Sequence, residues 1–127
     1  MISWPLATDT WDTSEINALH KVIDSRNFTM GNTVEEFQEA FCYKFGSKYA
    51  VMVNSGSSAN LLMAAGCFEL GLLGTGDEII VPAVAWGTSY FPFSQHGLKV
   101  VVVDIDNTWN ISPSHVRKAI TSRTRAV

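Results

Sequence analysis

Residues 49–65 of the chain, YAVMVNSGSSANLLMAA, place a polar turn between two apolar runs, and they decide the predicted fold. The first run, residues 49–54, is short and almost wholly apolar, which predicts a strand buried on both faces. The second run starts at small hydroxyl residues that favour a helix start, so it predicts a helix beginning near Ser57. A buried strand that passes directly into a helix is the repeating unit of parallel α/β sheets.

The rest of the chain alternates in the same way between apolar runs and helical patterns. Residues 78–83, EIIVPA, and residues 99–106, KVVVVDID, predict two further buried strands, and residues 126–127 resemble the start of another. Helical spacing or helix-start residues predict helices within residues 9–25, 33–46, 57–72, 87–97 and 112–121.

Cap residues mark where several of these helices begin or end. Asp12 or Thr13 can cap the first helix, and Glu15 completes a capping box if Asp12 is the cap. Gly46 predicts the end of the second helix. Ser112 is expected to cap the last helix, with proline at its first position.

The order of elements predicts an α/β protein, in which N-terminal helices precede a βαβαβα arrangement of a mainly parallel sheet. We divide it into a helical segment with a loop, residues 1–48, and a partial α/β domain, residues 49–127. Because residues 126–127 read as the start of a strand, we interpret the chain as a piece of a longer protein.

Composition excludes several classes of partner. The chain has 127 residues and a net charge of −3, so its charge does not favour nucleic acid or an anionic membrane. No apolar run reaches transmembrane length, and the N-terminus lacks the basic and apolar regions of a signal peptide. We therefore expect a cytoplasmic protein with free thiols at Cys42 and Cys67, and no metal site is indicated.

The polar turn after the first apolar run has two interpretations. Serine is a common helix cap, so the turn can be purely structural. Alternatively, the first N–H groups of the helix can bind an anion such as phosphate, with Gly56 allowing close approach and the hydroxyls of Ser57 and Ser58 donating hydrogen bonds. The turn matches neither the P-loop nor the dinucleotide fingerprint.

Trp86 follows the next predicted strand and falls at the same edge of the sheet as the polar turn. An aromatic side chain there can stack on a flat ring whose phosphate is held by the turn. The alternative is a tryptophan of the core. Asp104 and Asp106 also end a strand near this edge, and we interpret them as turn and capping residues.

These segments resemble a known enzyme family. FTMG at residues 28–31, the run at 49–65 and the run at 76–106, with their spacing, are similar to the sugar aminotransferases and dehydratases that use pyridoxal phosphate. The N-terminal WPLATDTW, residues 4–11, also resembles that family, most of all its 3-dehydratases. The resemblance implies part of the large domain of the fold type I enzymes.

The resemblance also implies roles for individual residues. Gly56, Ser57 and Ser58 match the loop that binds the cofactor phosphate, and Trp86 matches the aromatic residue that stacks on the pyridine ring. The cofactor would be pyridoxal 5'-phosphate or its pyridoxamine form. The residues that match a loop of the sugar-nucleotide site are Phe28, Thr29, Met30 and Gly31.

The family's catalytic position is not matched within this chain. Aminotransferases carry a lysine there and 3-dehydratases a histidine, and the acid that pairs with the pyridine nitrogen also lies downstream. The lysines and histidines that do not match are Lys21, Lys44, Lys48, Lys99, Lys118, His20, His96 and His115.

Three functions follow as hypotheses. The first is C3 dehydration of nucleotide-linked 4-keto-6-deoxy sugars for surface polysaccharide. The second is transamination of such sugars on the same fold, and the third is a non-catalytic module that binds a phosphorylated ligand or a partner chain. The resemblance implies a nucleotide-sugar substrate, glutamate as a possible amino donor, and a homodimer for the full-length protein.

Overall fold

A computed structural model describes residues 7–127, so the first part of the WPLATDTW segment lies outside the described residues. The chain divides into two compact units, Met1–Met52 and Val53–Val127. The division into a helical segment with a loop, residues 1–48, and a partial α/β domain, residues 49–127, stays a prediction. None of the described helices is long and apolar enough to span a membrane.

The first unit contains two helices. Helix α1 covers Thr13–Ser25 and has the capping box predicted for Asp12: the Asp12 carboxylate accepts from the Ser14 N–H at 2.6 Å, and the Glu15 carboxylate accepts from the Asp12 N–H at 2.9 Å. Helix α2 covers Asn32–Phe45 and ends, as predicted, at Gly46 in the left-handed conformation.

The second unit is an α/β structure with a parallel sheet. Its elements are helix α3 (Gly56–Glu69), strand β1 (Glu78–Pro82), a short 3₁₀ helix (Gly87–Ser89), helix α4 (Phe91–Gln95), strand β2 (Lys99–Val103), helix α5 (Pro113–Ala119) and strand β3 (Thr124–Ala126). The strand order is β2-β1-β3, and both pairs are parallel. The predicted strands at 78–83, at 99–106 and at the end of the chain are therefore confirmed in type.

The core lies around β1. Ile79, Ile80 and Val81 are almost fully buried, and Leu73 and Leu98 pack with Ile79 and Val81. Strand β2 was predicted to be buried, but the side chain of Val102 is 59% exposed. That prediction was wrong in extent because β2 lies at an edge of the described sheet and has a neighbour on one side.

The strand predicted at residues 49–54 is absent. The segment is extended without strand pairing, and Tyr49 and Val51 are mostly exposed. A strand forms where a neighbouring strand takes up its N–H and C=O groups, and the described sheet contains no strand beside this segment. Apolar composition alone therefore gave the wrong secondary structure.

A buried carboxylate joins the starts of the three strands. Glu78, at the start of β1, is nearly fully buried and accepts from the Thr121 hydroxyl at 2.5 Å, the Arg123 Nη2 at 2.7 Å and, more weakly, the Lys99 Nζ at 3.4 Å. Hydrogen bonds from Thr121 and then Arg123 lower the pKa of Glu78 from 4.5 to about 2. Glu78 is therefore ionised at neutral pH.

Candidate functional site

The polar turn begins helix α3. Ser55 is the N-cap: its backbone is extended, and its hydroxyl accepts a hydrogen bond from the Ser58 N–H at 3.1 Å. The helix starts at Gly56, close to the predicted position. The bland interpretation, a serine cap, is therefore correct for Ser55, a residue outside the predicted phosphate set.

Ser58 is tied into the turn. Its hydroxyl lies 2.6 Å from the Asn54 Oδ1, to which it donates, and 3.1 Å from the Ser55 Oγ. The hydroxyl proton is therefore used inside the turn, although the oxygen can still accept. A phosphate role for Ser58 stays a prediction.

Gly56 and Ser57 present an open face. Neither N–H has a hydrogen-bond partner among the described residues. A Cβ built on Gly56 would meet no atom within 4 Å, and Ser57 is exposed. The dipole of a helix also favours negative charge at this end. These two N–H groups and the Ser57 hydroxyl form a donor set suited to a phosphate group.

Trp86 follows β1 and immediately precedes the 3₁₀ helix. Its indole is 80% exposed, so the alternative of a core tryptophan is wrong. Exposure of so large an apolar side chain leaves it available to stack on a flat ligand. Its role towards a cofactor stays a prediction.

Two residues that sequence reasoning missed hold the segment around Trp86. The Asn60 Nδ2 in helix α3 donates to the Thr88 carbonyl at 3.2 Å, and the Tyr90 hydroxyl donates to the Pro82 carbonyl at 2.7 Å. The structure thus brings the helix that starts at the polar turn into contact with the segment carrying Trp86. The available signal was an asparagine inside a helix, where its propensity is low.

Asp104 and Asp106 are turn residues, as predicted. The Asp104 carboxylate accepts from the Ile105 N–H at 2.8 Å, and the Asp106 carboxylate accepts from the Thr108 N–H at 2.8 Å and from its hydroxyl at 2.5 Å. The bond from the Thr108 hydroxyl, followed by that from its N–H, lowers the pKa of Asp106. Both carboxylates are occupied by their own turns.

The loop predicted to contact a sugar nucleotide lies in the first unit, directly before α2. Phe28 and Met30 are 73% and 64% exposed. Gly31 is the N-cap position of α2, and a Cβ there would lie 2.5 Å from the Asn27 Nδ2. Because the Asn27 amide is the end of a flexible side chain, this approach does not by itself require glycine. A substrate role for the loop stays a prediction.

Comparison with known proteins identifies the family to which this chain is related. Residues 9–127 match the model of the DegT/DnrJ/EryC1/StrS aminotransferase family. The chain is 52% identical, over all of its length and 33% of the relative's, to the GDP-4-keto-6-deoxy-D-mannose 3-dehydratase of Yersinia pseudotuberculosis. It is 35% identical, over 87% of its length and 30% of the relative's, to the dTDP-3-amino-3,6-dideoxy-alpha-D-galactopyranose transaminase of Aneurinibacillus thermoaerophilus.

A solved structure agrees with this relationship. The GDP-4-keto-6-deoxy-D-mannose-3-dehydratase of E. coli with bound hydrated PLP matches 98% of the chain at 53% identity and a TM-score of 0.89, and the chain covers 33% of it. The fold is therefore that of the fold type I pyridoxal-phosphate enzymes, as the resemblance implied. The chain belongs to the DegT/DnrJ/EryC1/StrS aminotransferase family and spans about a third of the length of these relatives.

Proposed function

We propose that this chain forms the cofactor-phosphate part of a pyridoxal-phosphate enzyme that removes the C3 hydroxyl of a GDP-linked 4-keto-6-deoxy sugar. The proposal rests on one observation: the N–H groups of Gly56 and Ser57 are open at the start of α3, with no partner among the described residues. The 52% identity to a 3-dehydratase supplies the reaction and the substrate class.

The residues of the chain have distinct tasks in this proposal. Gly56 and Ser57 bind the phosphate through N–H and hydroxyl groups, and Ser58 supports the turn or accepts a further bond. Trp86 stacks on the cofactor ring and holds it in one orientation. The cofactor, when bound, supplies an electron sink. The Phe28–Gly31 segment, exposed at residues 28–30, contributes to the sugar-nucleotide site.

A sugar aminotransferase is the second candidate, because the chain is also 35% identical to a transaminase of the same family. The residue at the family's catalytic position separates the two: histidine supports the dehydratase and lysine the aminotransferase. The lower identity to the transaminase favours the dehydratase. The third hypothesis, a non-catalytic binding module, has no comparable observation in its favour.

The remaining partners belong to the same proposal. We infer a cytoplasmic homodimer for the full-length protein, with glutamate as amino donor to the cofactor. The exposed apolar side chains of Leu62 and Met63 on helix α3 support burial of part of this helix in a larger assembly.

Binding of pyridoxamine 5'-phosphate tests the proposal, since this form cannot react with surface lysines. We expect it to quench tryptophan fluorescence in the wild-type chain and in Trp109→Phe, but far less in Trp86→Phe. Trp109 is the matched control because both indoles are 80% exposed. Pyridoxamine without the phosphate should bind more weakly.

Equal quenching in Trp86→Phe and Trp109→Phe would contradict the assigned ring site. Equal affinity for pyridoxamine with and without phosphate would contradict the phosphate turn. The reaction is tested with a protein of the relatives' full length: mass spectrometry of the sugar nucleotide should show loss of a hydroxyl and no gain of nitrogen.

A further inference from the structure

One side-chain hydrogen bond connects helix α3 to the segment that carries Trp86. The Asn60 Nδ2 lies 3.2 Å from the Thr88 carbonyl oxygen, and both residues are half-buried. Among the described residues, no other hydrogen bond joins α3 to residues 82–90, which we call the tryptophan loop. The loop therefore depends on Asn60 for its polar contact with the helix.

The tryptophan loop is held together internally by bonds of its own. The Ser89 N–H donates to the Trp86 carbonyl at 2.8 Å, and the Tyr90 N–H donates to the Gly87 carbonyl at 3.0 Å. The Tyr90 hydroxyl closes the loop on the Pro82 carbonyl. These bonds fix the internal shape of the loop. From outside, the Ala83 N–H donates to the Val103 carbonyl at 2.7 Å and anchors the first residues of the loop to β2, whereas Asn60 holds the Thr88 end, beyond Trp86, against α3.

Asn60 stands close to the open end of the helix. It lies one helical turn after Gly56, which places it on the same face and about 6 Å further along the axis. A hydrogen bond from this side chain therefore fixes the position of the loop relative to the N–H groups of Gly56 and Ser57. Asparagine has a lower helix propensity than alanine, so the helix itself does not require it at this position.

We propose that Asn60 is a positioning residue, which holds the tryptophan loop so that the Trp86 indole stands at a fixed place relative to the start of α3. The part that concerns a bound ring rests on the proposed function. The position of the indole itself does not depend on that function, and it can be measured without ligand.

The first measurement is ligand-free. The chain is labelled with 5-fluorotryptophan, and its fluorine NMR resonance for Trp86 is assigned with Trp86→Phe. Asn60→Ala removes the donor and places a strong helix former in α3, so the helix remains folded. We expect the Trp86 resonance to shift or narrow while those of Trp11 and Trp109 stay in place.

Two further variants separate the hydrogen bond from simple packing. Asn60→Asp keeps the size of the side chain but directs oxygen at the Thr88 carbonyl, so it should move the Trp86 resonance as Asn60→Ala does. Asn107→Ala is the control, since Asn107 is an exposed asparagine outside α3 and outside the tryptophan loop. It should leave the Trp86 resonance unchanged.

The second measurement uses two ligands. Loss of one hydrogen bond predicts a drop of roughly fivefold in affinity for pyridoxamine 5'-phosphate in Asn60→Ala. The affinity for inorganic phosphate, which does not reach the indole, should stay unchanged. A purely structural role for Asn60 would weaken both ligands together or neither.

The outcomes are distinct. A Trp86 resonance that is identical in wild type, Asn60→Ala and Asn60→Asp overturns the positioning role. Equal weakening of both ligands also overturns it. If the wild-type chain does not bind pyridoxamine 5'-phosphate at all, the proposed function fails, and the fluorine spectra still decide the role of Asn60.

Discussion

The guanidinium of Arg123 directs two nitrogens at one carboxylate oxygen of Glu78: Nη2 lies 2.7 Å and Nε 3.1 Å from Oε1. Glu78 starts the central strand β1, and Arg123 directly precedes the edge strand β3. The Glu78 N–H also donates to the Arg123 carbonyl at 2.9 Å. A side-chain pair and a main-chain bond thus fix β3 against β1 at the same point.

Acid should weaken the fold through Glu78. Its pKa is about 2 in the folded chain and ordinarily 4.5, so its contribution to stability is complete above about pH 4.5 and is lost as the pH falls towards 2. Glu78→Gln should therefore lower the melting temperature most near neutral pH and progressively less below pH 4.5. Melting curves of both proteins across this range test it, and a difference that stays constant with pH would contradict the assigned pKa.

Arg123 should matter more than its neighbour Arg125. Arg123→Ala leaves the Glu78 carboxylate, whose side chain is 2% exposed, without its main charged partner. Arg125 instead lies 4.0 Å from Asp77, whose side chain is 26% exposed. We expect Arg123→Ala to lower the melting temperature by several degrees or more and Arg125→Ala by clearly less. If both variants lower the melting temperature equally, pairing with the buried Glu78 carboxylate does not make Arg123 more important for stability than Arg125.

Substitutions in the polar turn should show that Ser55 has a structural role and Ser57 a ligand-binding role. Ser55→Ala removes the N-cap of α3 and should cost about 1 kcal/mol in the free energy of unfolding. Ser57→Ala should leave stability unchanged and weaken binding of pyridoxamine 5'-phosphate. Urea unfolding and ligand titration of both variants check this. The assignment fails if Ser57→Ala loses stability and keeps its affinity.

The Tyr90 hydroxyl should stabilise the tryptophan loop. Tyr90→Phe removes its 2.7 Å bond to the Pro82 carbonyl while keeping the ring, so we expect a loss of roughly 1 kcal/mol in the free energy of unfolding. Tyr43→Phe is the matched control, because Tyr43 is 93% exposed. If the urea midpoints move equally in both variants, this hydrogen bond does not stabilise the tryptophan loop.

Sequence patterns predicted those parts of the fold that depend on neighbouring residues. The capping box of Asp12 and Glu15 and the left-handed Gly46 are local in sequence, and both were predicted. The run EIIVPA was recognised as a strand because apolar, β-branched residues suit a buried sheet. The run at residues 49–54 is equally apolar, but the described sheet has no strand beside it. Whether a neighbouring strand is present cannot be read from the run's own residues.

For the candidate site, the cofactor roles of the polar turn and of Trp86 stay predictions. The start of α3, close to Ser57, followed from the residues of the turn. The roles of Asn60 and Tyr90 did not, because each bonds a carbonyl in a different part of the chain and leaves no periodic signal. The hydrogen bonds of Glu78 were missed for the same reason, since its partners are far away in sequence.

The separation between Glu78 and Arg123 also bears on synthesis. The two residues are 45 positions apart, which corresponds to roughly 2 to 9 s of translation at ordinary ribosomal rates. Throughout that interval the carboxylate has water instead of a guanidinium, and taking an unpaired ion out of water is unfavourable. The pairing of nascent β1 and β2 should therefore be less stable on the ribosome, and it should reach full stability only after Arg123 has left the exit tunnel.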